Sequence, residues 1–95
     1  MKVIFKNLQC QRLFEEIDYK TEINLLAIQN FRMKVNYLFA VKNKIDVENA
    51  FFMKLTSVSD SSSYYFLPSN ETWKLDLNFQ SDDLIEILGI NKIGS

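Results

Sequence analysis

The chain contains no histidine, one cysteine (Cys10), one proline (Pro68) and two glycines, Gly89 and Gly94. Each scarcity excludes something. Without histidine, the commonest general base and the commonest metal ligand are both missing, and one cysteine cannot assemble a zinc site of ordinary spacing. A Cys–His nucleophile pair is impossible, and the two glycines cannot form a Gly-rich phosphate loop. No metal and no cofactor are therefore expected, and any catalysis must run on Lys, Arg, Asp, Glu, Tyr, Ser or Thr. A lone thiol closes no internal disulfide, so nothing points to an oxidising compartment. No apolar run reaches the roughly 18 residues of a membrane span. The opening Met1-Lys2-Val3-Ile4-Phe5-Lys6 is too short and too soon interrupted for a signal peptide, so a cytoplasmic location is expected.

An excess of one charge is lacking too. Lysine and arginine number 11 against 12 acids, a net charge of −1. A protein that holds nucleic acid by its overall field is clearly basic. Contact with RNA would here depend on a local cluster of lysines. Core material, by contrast, is plentiful: 47% of the 95 residues are hydrophobic and 14% aromatic. That is enough for one domain, residues 1–95, and argues against disorder.

Residues 2–6 read as a strand, with Val3, Ile4 and Phe5 between two lysines. Asn7 is a helix cap, and Cys10, Leu13, Phe14 and Ile17 follow at helical spacing, predicting a helix over 8–17. Thr21 is expected to cap a second, longer helix with Ile23, Leu26, Ala27, Phe31 and Leu38 in one apolar stripe, and Asp46 to cap a short turn over 47–50. From Phe51 the period changes to two, with Phe51, Met53 and Leu55 on one side and Phe52, Lys54 and Thr56 on the other. Residues 57–63 form a serine-rich loop, 64–67 a β run and 68–71 a turn. Trp73, Leu75, Leu77 and Phe79 alternate strictly with Thr72, Lys74, Asp76 and Asn78, and after a turn at 80–83 a last strand is expected over 84–90, with 91–95 as a tail. The fold class is α+β: an N-terminal strand, a two-helix hairpin, a short helix, then a small antiparallel sheet.

Candidate functional residues lie on the polar side of this layout. Lys54 and Lys74, each in a strand between apolar neighbours, project from one sheet face if their strands are close. Arg32, Lys34, Lys42 and Lys44 add positive charge toward the end of the long helix. Ordinary solvated charge is the competing account. The functional account is a phosphate-binding face, since ammonium groups stabilise charge developing on a scissile phosphate. Tyr64 and Tyr65 are candidates for base stacking, with core and sheet-edge packing as the alternative. Cys10, on an apolar helix face, reads as a buried inert thiol.

The segment from Tyr64-Tyr65-Phe66-Leu67-Pro68-Ser69-Asn70 through Trp73-Lys74-Leu75 to Phe79 resembles the hairpin of the RelE/ParE toxin superfamily, in its HigB branch. Trp73-Lys74-Leu75 stands for that family's Trp-Arg-Ile. Ile4-Phe5-Lys6-Asn7 with Leu13-Phe14 is similar to its first strand and helix, Phe52-Met53-Lys54-Leu55 to the strand after its helical hairpin, and Leu84-Ile85-Glu86-Ile87-Leu88 to its last strand. The order of elements matches over nearly the whole chain, the residues mainly over the hairpin. The resemblance implies a toxin neutralised by a cognate antitoxin protein, acting with the ribosome as a metal-independent mRNA endoribonuclease. It implies catalytic roles for Lys54 and Lys74, with Lys74 in place of the family's arginine, and RNA contacts from Arg32, Lys42, Lys44, Asn91 and Lys92. Asn91 and Lys92 stand where active members carry Tyr or His, and Asn91 is neither a good acid nor a good base. An active toxin, a weakened one and a ParE-like inhibitor of a protein target all fit. Beyond the family, a phage or mobile-element protein that blocks a host protein by binding, and a structural subunit, are the rival classes.

Overall fold

The computed structural model describes residues 1–16, 18–19, 21–57, 63–66 and 73–92. Among these residues, three helices and one 3-10 turn contribute to a single apolar core on one side of a five-stranded sheet. The strands are β1 (Lys2–Phe5), β2 (Thr56–Ser57), β3 (Ser63–Phe66), β4 (Trp73–Ser81) and β5 (Leu84–Lys92), in the spatial order β1-β5-β4-β3-β2. β1 runs parallel to β5 and the other neighbours are antiparallel, so the sheet is mixed because the N-terminal strand joins it. The α+β layout expected from the sequence is the observed one.

Asparagine starts each of the three described α-helices. Asn7 Oδ1 accepts from Cys10 N at 3.0 Å to open α1 (Leu8–Glu15). Asn24 Oδ1 accepts from Ala27 N at 2.8 Å to open α2 (Leu25–Ala40), and Asn43 Oδ1 accepts from Asp46 N at 3.1 Å to open α3 (Lys44–Glu48). The short amide satisfies a backbone donor that the first helical turn leaves orphaned. Asn7 is the cap expected from sequence; the other two are each shifted by three residues. Thr21 instead accepts from Ile23 N at 3.3 Å, one turn before the helix. Ile23, only 4% exposed, and partly buried Ile28 hold the positions of a hydrophobic staple around the Asn24 cap. Asp46 lies inside α3, in its first turn, where its charge suits the helix dipole.

A larger correction falls on residues 51–56. The two-residue period predicted a strand from Phe51, but Phe51–Met53 is a 3-10 turn, with Met53 N bonded to Ala50 O at 3.0 Å and Lys54 N to Phe51 O at 3.1 Å. Lys54 ends the turn in the left-handed region (φ 51°, ψ 44°), and β2 begins only at Thr56. Phe51 and Met53, expected on one side, divide: Phe51 is 96% exposed and Met53 fully buried. The physical reason lies in α2. The buried Lys34 donates from Nζ to Met53 O at 3.1 Å, satisfying a carbonyl that the turn brings inside.

β4 follows its alternation, with Trp73, Leu75, Leu77 and Phe79 buried. β5 runs two residues beyond the expected end, so Asn91 and Lys92 belong to the strand and not to a tail. Ile17, most of the serine-rich loop (58–62), the turn expected at 68–71 with its flanking Leu67 and Thr72, and the tail residues 93–95 lie outside the described residues. Above the sheet, ring contacts tie the layers together: Phe5 meets Phe14 tilted and Phe14 stacks on Phe39, each with centroids 5.6 Å apart.

Cys10 sits in this core, fully buried. Burial pushes its thiol up to about 11 from 9.0, against a backbone hydrogen bond from Ile90. The folded state therefore holds the proton more tightly than the unfolded one. Its contribution is complete below pH 9 and is lost as pH rises through 11, on the order of 2–3 kcal/mol. Urea unfolding at pH 8 and pH 11 should show the wild type losing about that much more than Cys10→Ala. An equal loss in both would mean that the thiol titrates as if exposed.

Candidate functional site: the open face of the sheet

The helices contribute their buried side chains to one core, together with Leu75, Leu77, Ile85 and Ile87. The opposite sheet face carries the alternate residues. Cross-strand partners share a face, so Asn78 lies with Glu86, Asp76 with Gly89, and Lys74 with Asn91. The last two pairings depend on an irregularity between Asp76 and Leu77 that leaves Leu88 without a partner. A regular ladder would have set Asp76 opposite Leu88 and Leu75 opposite Gly89. The extra residue is a β-bulge, and it turns Asn91 onto the open face.

Two polar groups result. In the first, Lys74 Nζ lies 3.5 Å from Asp76 Oδ1, and Asn91 Nδ2 lies 3.4 Å from Asp76 Oδ2. The side chains of Lys74 and Asp76 are 40% and 30% exposed, so the carboxylate is reachable from solvent. Gly89, opposite Asp76, adds no side chain. A Cβ there would stand 3.6 Å from Asn7 Nδ2 and 3.9 Å from Asn91 Nδ2, so the Asn7 and Asn91 amides border the same spot. In the second group, Glu86 accepts from Gln80 Nε2 at 2.7 Å and meets Lys6 Nζ at 3.3 Å. The Gln80 amide, then Lys6, holds its carboxyl below the usual range, against partial burial.

The other candidates are placed differently. Lys54 flanks β2, with β3 between β2 and β4, so two inter-strand spacings, about 10 Å, separate its backbone from that of Lys74. It is not a strand residue sharing Lys74's ladder. Its charge is instead felt by Lys34, whose ammonium is pushed down from the ordinary lysine value first by burial and then by Lys54. Arg32 closes the end of α1, donating from Nε to Leu13 O at 2.7 Å and from Nη2 to Glu16 O at 2.8 Å. Lys42 lines an open cleft of about 730 Å³ beside Tyr37, Val41, Asn43 and Asp46. Lys44 places its ammonium 5.4 Å from the Phe79 ring centre, and its N–H bonds Asp82 O at 2.7 Å. Its ammonium therefore lies toward the far end of β4, five residues from Lys74 and about 17 Å away along the strand. Lys92 is exposed at the end of β5, opposite Trp73. Lys74, Asn91 and Lys92 thus share one end of the sheet, while Lys42 and Lys44 share the other.

Asp76, Glu86 and Gln80 were not singled out from sequence. The alternation of β4 already placed Asp76 beside Lys74 on the polar face; their convergence with Asn91 depends on the bulge, for which the isolated Gly89 inside the β5 pattern is the local signal. Among the described residues no group of three or more His, Cys, Asp or Glu is disposed to hold a metal ion, and no helix is long and apolar enough to cross a membrane. No family model, curated protein or solved structure matches the chain.

Proposed function

We propose that this chain is a toxin-type inhibitor of translation, a slow metal-independent endoribonuclease acting on ribosome-bound mRNA, held in check by a cognate antitoxin. The observation that carries this reading is the Lys74–Asp76–Asn91 group, a cation, a carboxylate and an amide within 3.5 Å contacts on the sheet face that the helices leave open. The strand, helix pair, short helix and strand order agrees with the layout implied by the toxin resemblance. In this chemistry Asp76 takes the proton of a ribose 2′-OH, and the oxygen attacks the adjacent phosphorus. Lys74 neutralises the phosphorane, and the bond to the 5′-oxygen breaks to leave a 2′,3′-cyclic phosphate and a 5′-hydroxyl. The leaving oxygen takes its proton from solvent, since Asn91 supplies a neutral amide and no acid. Turnover is therefore expected to be slow.

A second reading is inhibition of a host protein by binding alone. It is favoured by the balance of charge on the open face, where Lys6 and Lys74 meet Glu86 and Asp76. A polyanion gains little from such a surface. Induced expression in a bacterial host, with mRNA 5′ ends mapped in the same culture, separates the two. Growth arrest with new cuts inside translated messages is the expected result. Arrest without cuts would leave the binding reading, and no arrest would overturn both.

A further inference from the structure

Asn7 commits only one end of its side chain to α1. Its Oδ1 accepts from Cys10 N at 3.0 Å, and turning the amide over would leave that donor orphaned. The amide is therefore fixed with Nδ2 toward Gly89 of β5, 3.6 Å from where a Cβ would stand. Among the described residues, none accepts from this Nδ2. Asn91 Nδ2 lies 3.9 Å from the same point. It gives one of its two hydrogens to Asp76 Oδ2 at 3.4 Å. Asp76 is the cross-strand partner of Gly89, so the point lies beside that carboxylate on the open face. Asn7 is half-buried and Asn91 exposed. Only a residue without a side chain leaves the point clear, and a glycine inside a strand marks a place where another group approaches closely.

We propose that Asn7 is a second amide donor of the site, and that Asn7 and Asn91 together hold the two non-bridging oxygens of the scissile phosphate at Gly89. The inference rests on the ribonuclease reading for its substrate, a phosphodiester of RNA. Two oxygens flank one phosphorus in such a group, and each takes one N–H at about 2.9 Å. Lys74 is shared with Asp76 in an ion pair, so the phosphate needs further donors, and the two amides are the ones that border this point. As charge builds on the oxygens in the phosphorane, hydrogen bonds to them strengthen. The amides move no proton. Asp76, beside the same point, still takes the proton of the 2′-OH, and Asn7 acts by orienting and stabilising the phosphate that this oxygen attacks.

Asn7 can be changed without losing its cap, because aspartate and serine cap a helix as well as asparagine does. Asn7→Asp puts a carboxylate oxygen where the N–H stood, and Asn7→Ser leaves nothing there. Both variants should melt close to the wild type and cleave translated message about 10²-fold more slowly or worse, the range for removing one such donor. Gly89→Ala sets a methyl group at the point itself. Its Cβ meets both amides only in ordinary van der Waals contact, and its backbone lies outside the left-handed region, so the fold should stand while cleavage falls. Binding is read apart from cleavage by titrating the isotope-labelled full chain with inorganic phosphate at constant ionic strength and following the side-chain amide NMR signals. The Asn7 and Asn91 amides should shift together and saturably, with affinity weakened roughly tenfold or more in Asn7→Ser, the effect of losing one hydrogen bond to a charged group. Phosphate shifts confined to other residues, or Asn7→Asp and Asn7→Ser that bind phosphate and cleave like the wild type, would overturn the proposal. Amide shifts in a chain that cuts no message would uphold the phosphate site and remove the ribonuclease reading. Cutting without amide shifts would do the reverse.

Discussion

Asp76→Asn is expected to lower message cleavage about 10²- to 10⁴-fold, the range for removing a general base. Lys74→Ala is expected to lower it about 10²- to 10³-fold, the range for removing one group that stabilises the charged transition state. Both chains should remain folded. The pair they break is 30–40% exposed, and an exposed ion pair contributes about 0–1 kcal/mol. In a domain of this size that moves the melting temperature by no more than about 8 °C. Lys54→Ala provides the contrast. Lys54 stands two strand spacings from Lys74, on a left-handed turn residue, so its removal should leave cleavage within about threefold of wild type. The measurement is the rate at which a translated message acquires new 5′ ends, with circular dichroism melting of each variant. Undiminished cleavage by Asp76→Asn would remove the carboxylate from the mechanism. A loss with Lys54→Ala equal to that with Lys74→Ala would mean that the two lysines work as one site despite the strand between them.

That contrast also marks how far the sequence could be read. β4 was legible because a strand with one face in the core writes its geometry as strict alternation, and Trp73, Leu75, Leu77 and Phe79 are the buried set. The α1 cap was legible because Asn7 stands directly before a helical apolar spacing. The strand expected from Phe51 was not, because a short apolar run fits either a period of two or a tight turn. What decides between them is Lys34, nineteen residues earlier, whose buried ammonium receives the Met53 carbonyl. Arg32 and Lys34 look like surface charge in sequence for the same reason. Their partners, the α1 carbonyls and Met53, exist only once the layers have met. The candidate site was half legible. Lys74 and Asp76 share a face by alternation alone. Asn91 joins them only through the bulge at Leu88, and read as a tail residue it had no fixed direction.

Phe31→Ala should be the most damaging single truncation in the core. Phe31 has no solvent exposure, and among the fully buried side chains of the described residues it is the largest. It lies mid-way along α2, on the side that the helix presents to the core. Truncating a buried phenylalanine costs about 3–5 kcal/mol through lost transfer free energy and the cavity left behind. A chain of 95 residues has about 5–14 kcal/mol of stability in all. The variant would lose about a fifth of that or more, and its melting temperature should fall by about 12 °C or more. Leu25→Ala on the same helix, 66% exposed, should stay within about 0.5 kcal/mol of wild type. Urea unfolding followed by circular dichroism measures both in one series. If Phe31→Ala lost no more than Leu25→Ala, the packing of α2 against the sheet would be wrong. The buried set around Phe31, and with it the assignment of the opposite face as the open one, would have to be redrawn.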